Sequence, residues 1–246
     1  MRMLLFAKRN VKEVLRDPVN LFFGLGFPLV LLALLSIINA AIPPEAENPM
    51  FQIENLALGL AMFGSVFMAL FAGMLLSKDR TSSFLMRLFA SPMTSGDFIL
   101  GYTLPMLVIT IGQAAITLLA AGALGLEINI HILFAVAVTA LTSLLFVGAG
   151  LFFGSLLNDK AVGGVCGALL TNVAGWLSGV FVPIDLIGGA FKKTTDILPF
   201  YHGVEAIRAA LSGSAGQMLP HLAVVMGYAV VIFALAMIVF KRKMSG

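Results

Sequence analysis

Charge is scarce in this sequence: Asp, Glu, Lys and Arg make up 11% of its 246 residues, where a water-soluble domain carries about 25%. With 60% hydrophobic residues, a fold in water would leave apolar patches of a size that soluble monomers rarely show. Lipid is the solvent that fits. Cysteine is nearly missing, and the lone Cys166 excludes a disulfide framework or a Cys-cluster metal site. The three histidines, His131, His202 and His221, are scattered without the spacing of a ligating motif such as HExxH. No Lys follows a Gly, so there is no P-loop whose lysine could reach nucleotide phosphates. The net charge of +3 sits at the ends of apolar runs, which is the signature of membrane topology and not of a nucleic-acid-binding face.

What remains is apolar run after apolar run. A helix that crosses the hydrocarbon core needs about 20 predominantly apolar residues. Six segments qualify: Leu21 to Ile42, Leu56 to Leu76, Phe98 to Leu124, Ile132 to Leu157, Val162 to Val182, and Leu219 to Phe240. None contains Asp, Glu, Lys or Arg. The runs are continuous, whereas lipid-facing barrel strands alternate apolar and polar residues. The expected class is therefore an all-α polytopic membrane protein with six transmembrane helices. Some twenty residues with five basic ones precede the first run, which favours a retained anchor over a cleaved signal. No carboxylate or lysine lies in mid-span of the kind that marks proton relays and ion-coupled carriers.

Orientation follows from the basic residues. Twelve of the fifteen Lys and Arg fall on one side: five in the N-terminal segment, Lys78, Arg80 and Arg87 after the second run, Lys160 after the fourth, and Lys241, Arg242 and Lys243 after the sixth. Lys192, Lys193 and Arg208 fall on the other. This bias predicts cytoplasmic termini. Residues 1–18 read as an amphipathic interfacial helix, with Leu4, Leu5, Val11, Val14 and Leu15 as its apolar face, broken at Asp17-Pro18. Residues 19–246 form the six-span domain, with a cytoplasmic loop at 77–97 and an outer segment at 183–210 that is too short to cross twice and reads as a re-entrant or interfacial helical pair.

Three constellations carry functional expectations. In the inner loop, Phe84, Leu85, Leu88 and Phe89 form an apolar stripe at helical spacing before Ser91-Pro92. It suits either a groove on a soluble partner or packing on the bilayer and neighbouring spans. Small residues recur four apart, at Gly150 and Gly154, Gly163 and Gly167, Gly164 and Ala168, and Gly175 and Gly179, a spacing that lets helix backbones approach within the chain, at a subunit interface or at a gate. Asn172 and Trp176 lie one turn apart on the fifth run, as pathway residues or as packing and anchoring ones. Glu205 and Arg208, at i and i+3 beyond Pro199, are placed to pair with each other.

The stretch from Ser178-Gly179 to Pro183, followed by Leu198-Pro199-Phe200-Tyr201-His202-Gly203-Val204-Glu205-Ala206-Ile207-Arg208, resembles the C-terminal signature of type-2 ABC exporter permeases of bacteria. Leu88, Ser91-Pro92 and Ser95 are similar to that family's coupling-helix region, and the resemblance runs over essentially the whole chain. Two positions depart from it. Asp79 with Ser82 or Ser83 stands where the family often has Glu and Gly, and Ile187-Gly188 stands near a second expected proline. The resemblance implies a permease of the cytoplasmic (inner) membrane with no catalytic, metal or cofactor site of its own. Its partners would be a second permease copy or homologue and separate cytoplasmic ABC ATPases holding ATP and Mg, with no nucleic acid. It implies ATPase coupling through Asp79, Phe84, Leu85, Leu88, Phe89 and Pro92, and an outer gate at Gly179, Pro183, Pro199, Glu205 and Arg208. A pathway between the second and fifth spans would involve Met62, Phe63, Phe67, Asn172 and Trp176. An apolar, Met- and Phe-rich lining suits a hydrophobic or amphipathic cargo such as a drug, an antibiotic or a lipid-like molecule. A polysaccharide or teichoic-acid exporter, a secondary carrier and a membrane-embedded enzyme are the other readings, the last disfavoured by the lack of paired carboxylates or a His cluster.

Overall fold

In lipid a chain must satisfy its own backbone groups, and each long apolar run here does so as a helix. The computed structural model describes residues 2–43, 51–82, 94–180 and 184–244, with no strand among them. Helix α1 (Arg2–Leu15) is followed by α2 (Pro18–Ala41), α3 (Ile53–Thr81), α4 (Ser95–Ala123) and α5 (His131–Leu156). Then come α6 (159–177), the short helices α7 (Ile184–Ile187), α8 (Gly189–Ile197) and α9 (Pro199–Leu211), and finally α10 (Ala215–Met244).

Five of these, α2, α3, α4, α5 and α10, are long and apolar enough to cross a membrane, and the protein is a multi-pass membrane protein. The fifth of the six expected crossings is α6, which begins at Asp159 and ends at Leu177 instead of Val182. Lys160, Asn172 and four glycines dilute its apolar content. It is three joined pieces, with a π-helical stretch at Gly163–Leu169; α2 likewise carries one at Phe22–Gly26. The third expected run is lengthened at its start by a capping box, in which Thr94 and Asp97 satisfy each other's backbone N–H. The inner loop is correspondingly shorter than 77–97, because Ser77 to Thr81 continue α3 and Ser95 to Asp97 open α4.

α3 is the centre of the bundle. It touches α2, α4, α5, α6 and α9, and nearly all its apolar residues are buried. Its closest neighbour is α5, and the small residues explain why. A Cβ on Gly150 would lie 2.1 Å from the Ala69 carbonyl oxygen, and one on Gly154 would lie 2.6 Å from that of Gly73. Gly150 and Gly154 thus serve intrachain packing, matched by Ala69 and Gly73 four apart on α3, so two backbones meet directly. Gly163 and Gly164 on α6 differ, since a Cβ there would meet nothing within 4 Å.

Gly150→Val should therefore open the α3–α5 contact, at a cost of about 2–3 kcal/mol for a forced backbone shift. Gly112→Ala on α4, with open space around it, should be silent. Thermal midpoints of the two purified variants check this contrast.

Candidate functional site

At the basic end of the bundle, the structure assembles a polar clamp from three helices. Asp17 ends the α1 segment by accepting from Val19 and Asn20 backbone N–H, as a cap before Pro18 does. The face that α1 buries is Phe6, Ala7, Asn10 and Val14. Of the expected apolar face, Leu4, Leu5, Val11, Val14 and Leu15, only Val14 is buried against the bundle, and the three leucines point outward. The reason lies on α4. Gly101 leaves a pit in which a Cβ would come within 2.3 Å of Phe6, and the Phe6 ring meets Phe98 and Tyr102 edge-on at 6.0 and 5.0 Å. Beside it, Asn10 Nδ2 donates to the Gly101 carbonyl at 3.0 Å.

This docking brings Arg9 to Asp79. The guanidinium donates to both carboxylate oxygens, at 2.6 and 2.9 Å, the bidentate geometry that Arg offers and Lys does not. Tyr102 Oη donates to the same carboxylate at 2.9 Å, and Arg9 also pairs with Glu13. Burial opposes the charge on Arg9, but its hydrogen bond to Asp79 and the field of Asp79 and Glu13 outweigh it and raise its pKa above the ordinary value. Asp79 is 3% exposed, so the carboxylate expected to contact an ATPase has both its oxygens engaged within the chain. One residue on, Arg80 donates to the carbonyls of Ser155 and Leu157, and Ser77 Oγ donates to Leu157. These bonds satisfy orphan carbonyls at the end of α5, where a cation also suits the helix dipole. Phe84, Leu85, Leu88, Phe89 and Pro92 lie outside the described residues.

The five expected pathway residues fall into two groups. Met62, Phe63 and Phe67 are buried inside the single chain. Phe63 and Phe67 join Phe23, Phe27 and Phe71 in a ladder of rings 5.5 to 6.4 Å apart between α2 and α3. Met62 packs toward Gly203 of α9. Asn172 and Trp176 instead lie on the open face of α6, with Trp176 54% exposed. Gly164 and Ala168 are exposed at the same four-residue interval, continuing the stripe. Asn172 Nδ2 donates to the Ala168 carbonyl at 2.8 Å, so its amide is tied to its own helix.

The opposite end is held by the C-terminal segment. Gly179 adopts φ +78° just past the end of α6, the left-handed turn that glycine makes without strain. Pro199 sits in the first turn of α9, buried. Glu205 and Arg208 form the expected pair, and Arg208 also donates to Asn55 at 3.1 Å, tying α9 to the start of α3. Pro183 lies outside the described residues. A hollow of about 530 Å³ opens here, its rim including Glu54, Asn55, Glu127, Asn129, His131 and Arg208.

Sequence reasoning missed two groupings. His202 and His221 meet, Nδ1 to Nδ1, at 2.7 Å, and His202 Nε2 lies 2.8 Å from the Asp196 carbonyl. A carbonyl oxygen only accepts, so His202 Nε2 is the donor in that contact. The two histidines lie nineteen positions apart on consecutive helices, so no local spacing reveals the pair. Arg9 and Tyr102 were also missed as partners of Asp79; a Tyr inside an apolar run is the usable signal, since a buried hydroxyl requires an acceptor.

Residues 2–212 match the family described as ABC-2 type transporter, and the chain belongs to that membrane family. Among curated proteins it is 26% identical over 231 residues to nodulation protein J of Sinorhizobium fredii, an alignment spanning 94% of this chain and 85% of that one. Nodulation protein J of Rhizobium meliloti is 30% identical over 128 residues, covering 50% of this chain and 48% of the relative. The family is a transporter membrane domain and not a catalytic one.

Removing the acceptor should loosen the clamp. Asp79→Asn leaves Arg9 without its counter-charge, and should cost about 1–3 kcal/mol, because Arg9 stays partly solvated. Adding Arg9→Gln should recover much of that loss. A double-mutant cycle on thermal midpoints measures the coupling.

Proposed function

We propose that this chain is the permease subunit of an ATP-binding-cassette exporter in the bacterial cytoplasmic membrane. The observation that carries the reading is the family match over residues 2–212 in a chain without a P-loop. The ATPase, with its ATP and Mg, is then a separate cytoplasmic polypeptide, and a second permease copy or homologue completes the pathway. The exposed α6 stripe of Gly164, Ala168, Asn172 and Trp176 supplies a face for that second copy, where small residues permit close approach. Met62, Phe63 and Phe67 would reach the pathway only when α2 and α9 withdraw from α3.

The coupling element is the 83–93 segment, with Leu88 at the centre of its apolar stripe. Asp79 acts on it as a positioning residue, by fixing the end of α3 against α1 and α4 through Arg9 and Tyr102. The Phe ladder and Met62 suit a hydrophobic or amphipathic cargo. A second reading, export of a saccharide or lipid-linked saccharide, draws on the hollow at the opposite end. Its amides, carboxylates and Arg208 are the groups that bind sugar hydroxyls, although among the described residues no aromatic platform other than His131 lines it.

Leu88→Asp tests the coupling role. Burying an unpaired carboxylate at the contact costs several kcal/mol, and about 1.4 kcal/mol is tenfold in affinity. The variant should melt like the parent, fail to retain the ATPase on co-purification and lose transport. A normal melt with a coupled ATPase still bound would remove coupling from this segment.

The proposed orientation places the basic end inside. Cys166 is buried, so single cysteines can be read against a quiet background. Glu127→Cys should react with an impermeant maleimide from outside intact cells and Lys160→Cys only after permeabilisation. The reverse order would invert the topology and with it the direction of export.

A further inference from the structure

The docking of α1 through Phe6, Ala7, Asn10 and Val14 determines what it presents outward. Lys8, Lys12 and Arg16 stand four residues apart, one turn above another, and all three are exposed. Arg9, beside them, is committed to Asp79 and Glu13. Lys8, Lys12 and Arg16 have no anionic partner among the described residues. A groove of about 490 Å³ runs along this face between Leu5, Lys8, Arg9, Lys12, Glu13 and Arg16. Glu13 is its one carboxylate, and it is paired with Arg9, which leaves the column of three cations as the net charge of the groove.

Apolar side chains border that column. On a helix turning 100° per residue, Leu4 and Leu15 lie to one side of Lys8 and Lys12 and Leu5 to the other; Leu4 is 60% and Leu15 47% exposed. A face addressed only to water or to free anions has no use for three outward leucines, whereas a helix at the headgroup level uses both kinds of side chain at once. The lysine stems add apolar length while their ammonium groups reach the phosphates.

We propose that the outer face of α1 is a binding site for the phosphate of an anionic phospholipid, held by Lys8, Lys12 and Arg16 with its acyl chains along Leu4 and Leu15. The site orders α1 on the bilayer from without, while the Arg9–Asp79–Tyr102 clamp holds it from within. It rests on the membrane placement of the chain and not on what the transporter exports, so it stands or falls separately from the exporter reading.

The test uses the full chain in detergent micelles, titrated with phosphatidylglycerol, with phosphatidylcholine and with inorganic phosphate. Binding is read by native mass spectrometry and by the shift in thermal midpoint. Phosphatidylglycerol should bind and stabilise at least tenfold more tightly than phosphatidylcholine. Each cation removed should weaken it roughly fivefold, the effect of about one kcal/mol per basic residue near an anionic surface. The triple variant Lys8→Gln, Lys12→Gln, Arg16→Gln should lose the preference for phosphatidylglycerol. Because the three side chains are exposed, its midpoint without lipid should match the parent. Lys160→Gln with Lys193→Gln, two cations away from α1, should leave the preference intact. Equal retention of both lipids, or a triple variant that still prefers phosphatidylglycerol, overturns the site. Equal stabilisation by inorganic phosphate assigns the groove to a soluble anion and overturns the lipid. Protection of a Lys12→Cys label only when an ATPase is bound, and not by phosphatidylglycerol, gives the face to the partner and overturns it as well.

Discussion

A carboxylate at the end of the most deeply buried helix is the constraint around which the basic end is arranged. Asp79 extends α3 beyond its apolar core, in a place where water is scarce and an unpaired charge would be costly. Its two oxygens draw in Arg9 from one helix and Tyr102 from another. Once Arg9 is fixed, so are the rotation of α1 and the face it buries. Once α1 is fixed, Phe6 must find the Gly101 pit. The next residue, Arg80, caps α5, so one short run, Ser77 to Arg80, fastens four helices.

The long helices were legible in the sequence because the physics of crossing lipid is written as length and continuity. All six runs reappear as helices, five of them long and apolar enough to cross a membrane. The ends were less legible: charges at Lys78, Asp79 and Arg80 mark a boundary by composition, but hydrogen bonds across helices let α3 carry them as its last turn. The face by which α1 docks on the bundle was hidden for a related reason. Leucines imply burial only when the adjacent solvent is water, and beside a membrane the outward side can be the apolar one. Docking then depends on shape, and the absence of a side chain at Gly101 cannot be weighed until it is known which helix lies opposite.

The site was legible in parts. Glu205 and Arg208, near in sequence, paired as spacing suggests, whereas Gly179, expected four residues from Gly175 as a packing position, turns left-handed past the end of α6. Met62, Phe63 and Phe67 on α3 and Asn172 and Trp176 on α6 are grouped only by the proposed assembly. Within one chain the first three face the interior and the last two face out. Periodicity groups residues by helix face, but which face meets lipid, a sister helix or a second subunit is decided by neighbours far along the chain. The His202–His221 contact belongs to that category.

The contact of α3 with α5 has a further meaning. Two backbones that touch through Gly73, Gly150 and Gly154 cannot slide past one another without collision, so they form a stator. Among the described residues, α2 and α6 contain π-helical turns. Each such turn stores a supernumerary residue. Relaxation of the Gly163–Leu169 turn to ordinary α geometry would swing everything beyond it by about 100°, carrying Asn172 and Trp176 from one azimuth to another while the Asp159 end stays anchored. A helix with spare backbone wound into it can rotate like a cam against a fixed shaft, with no bond in the stator broken.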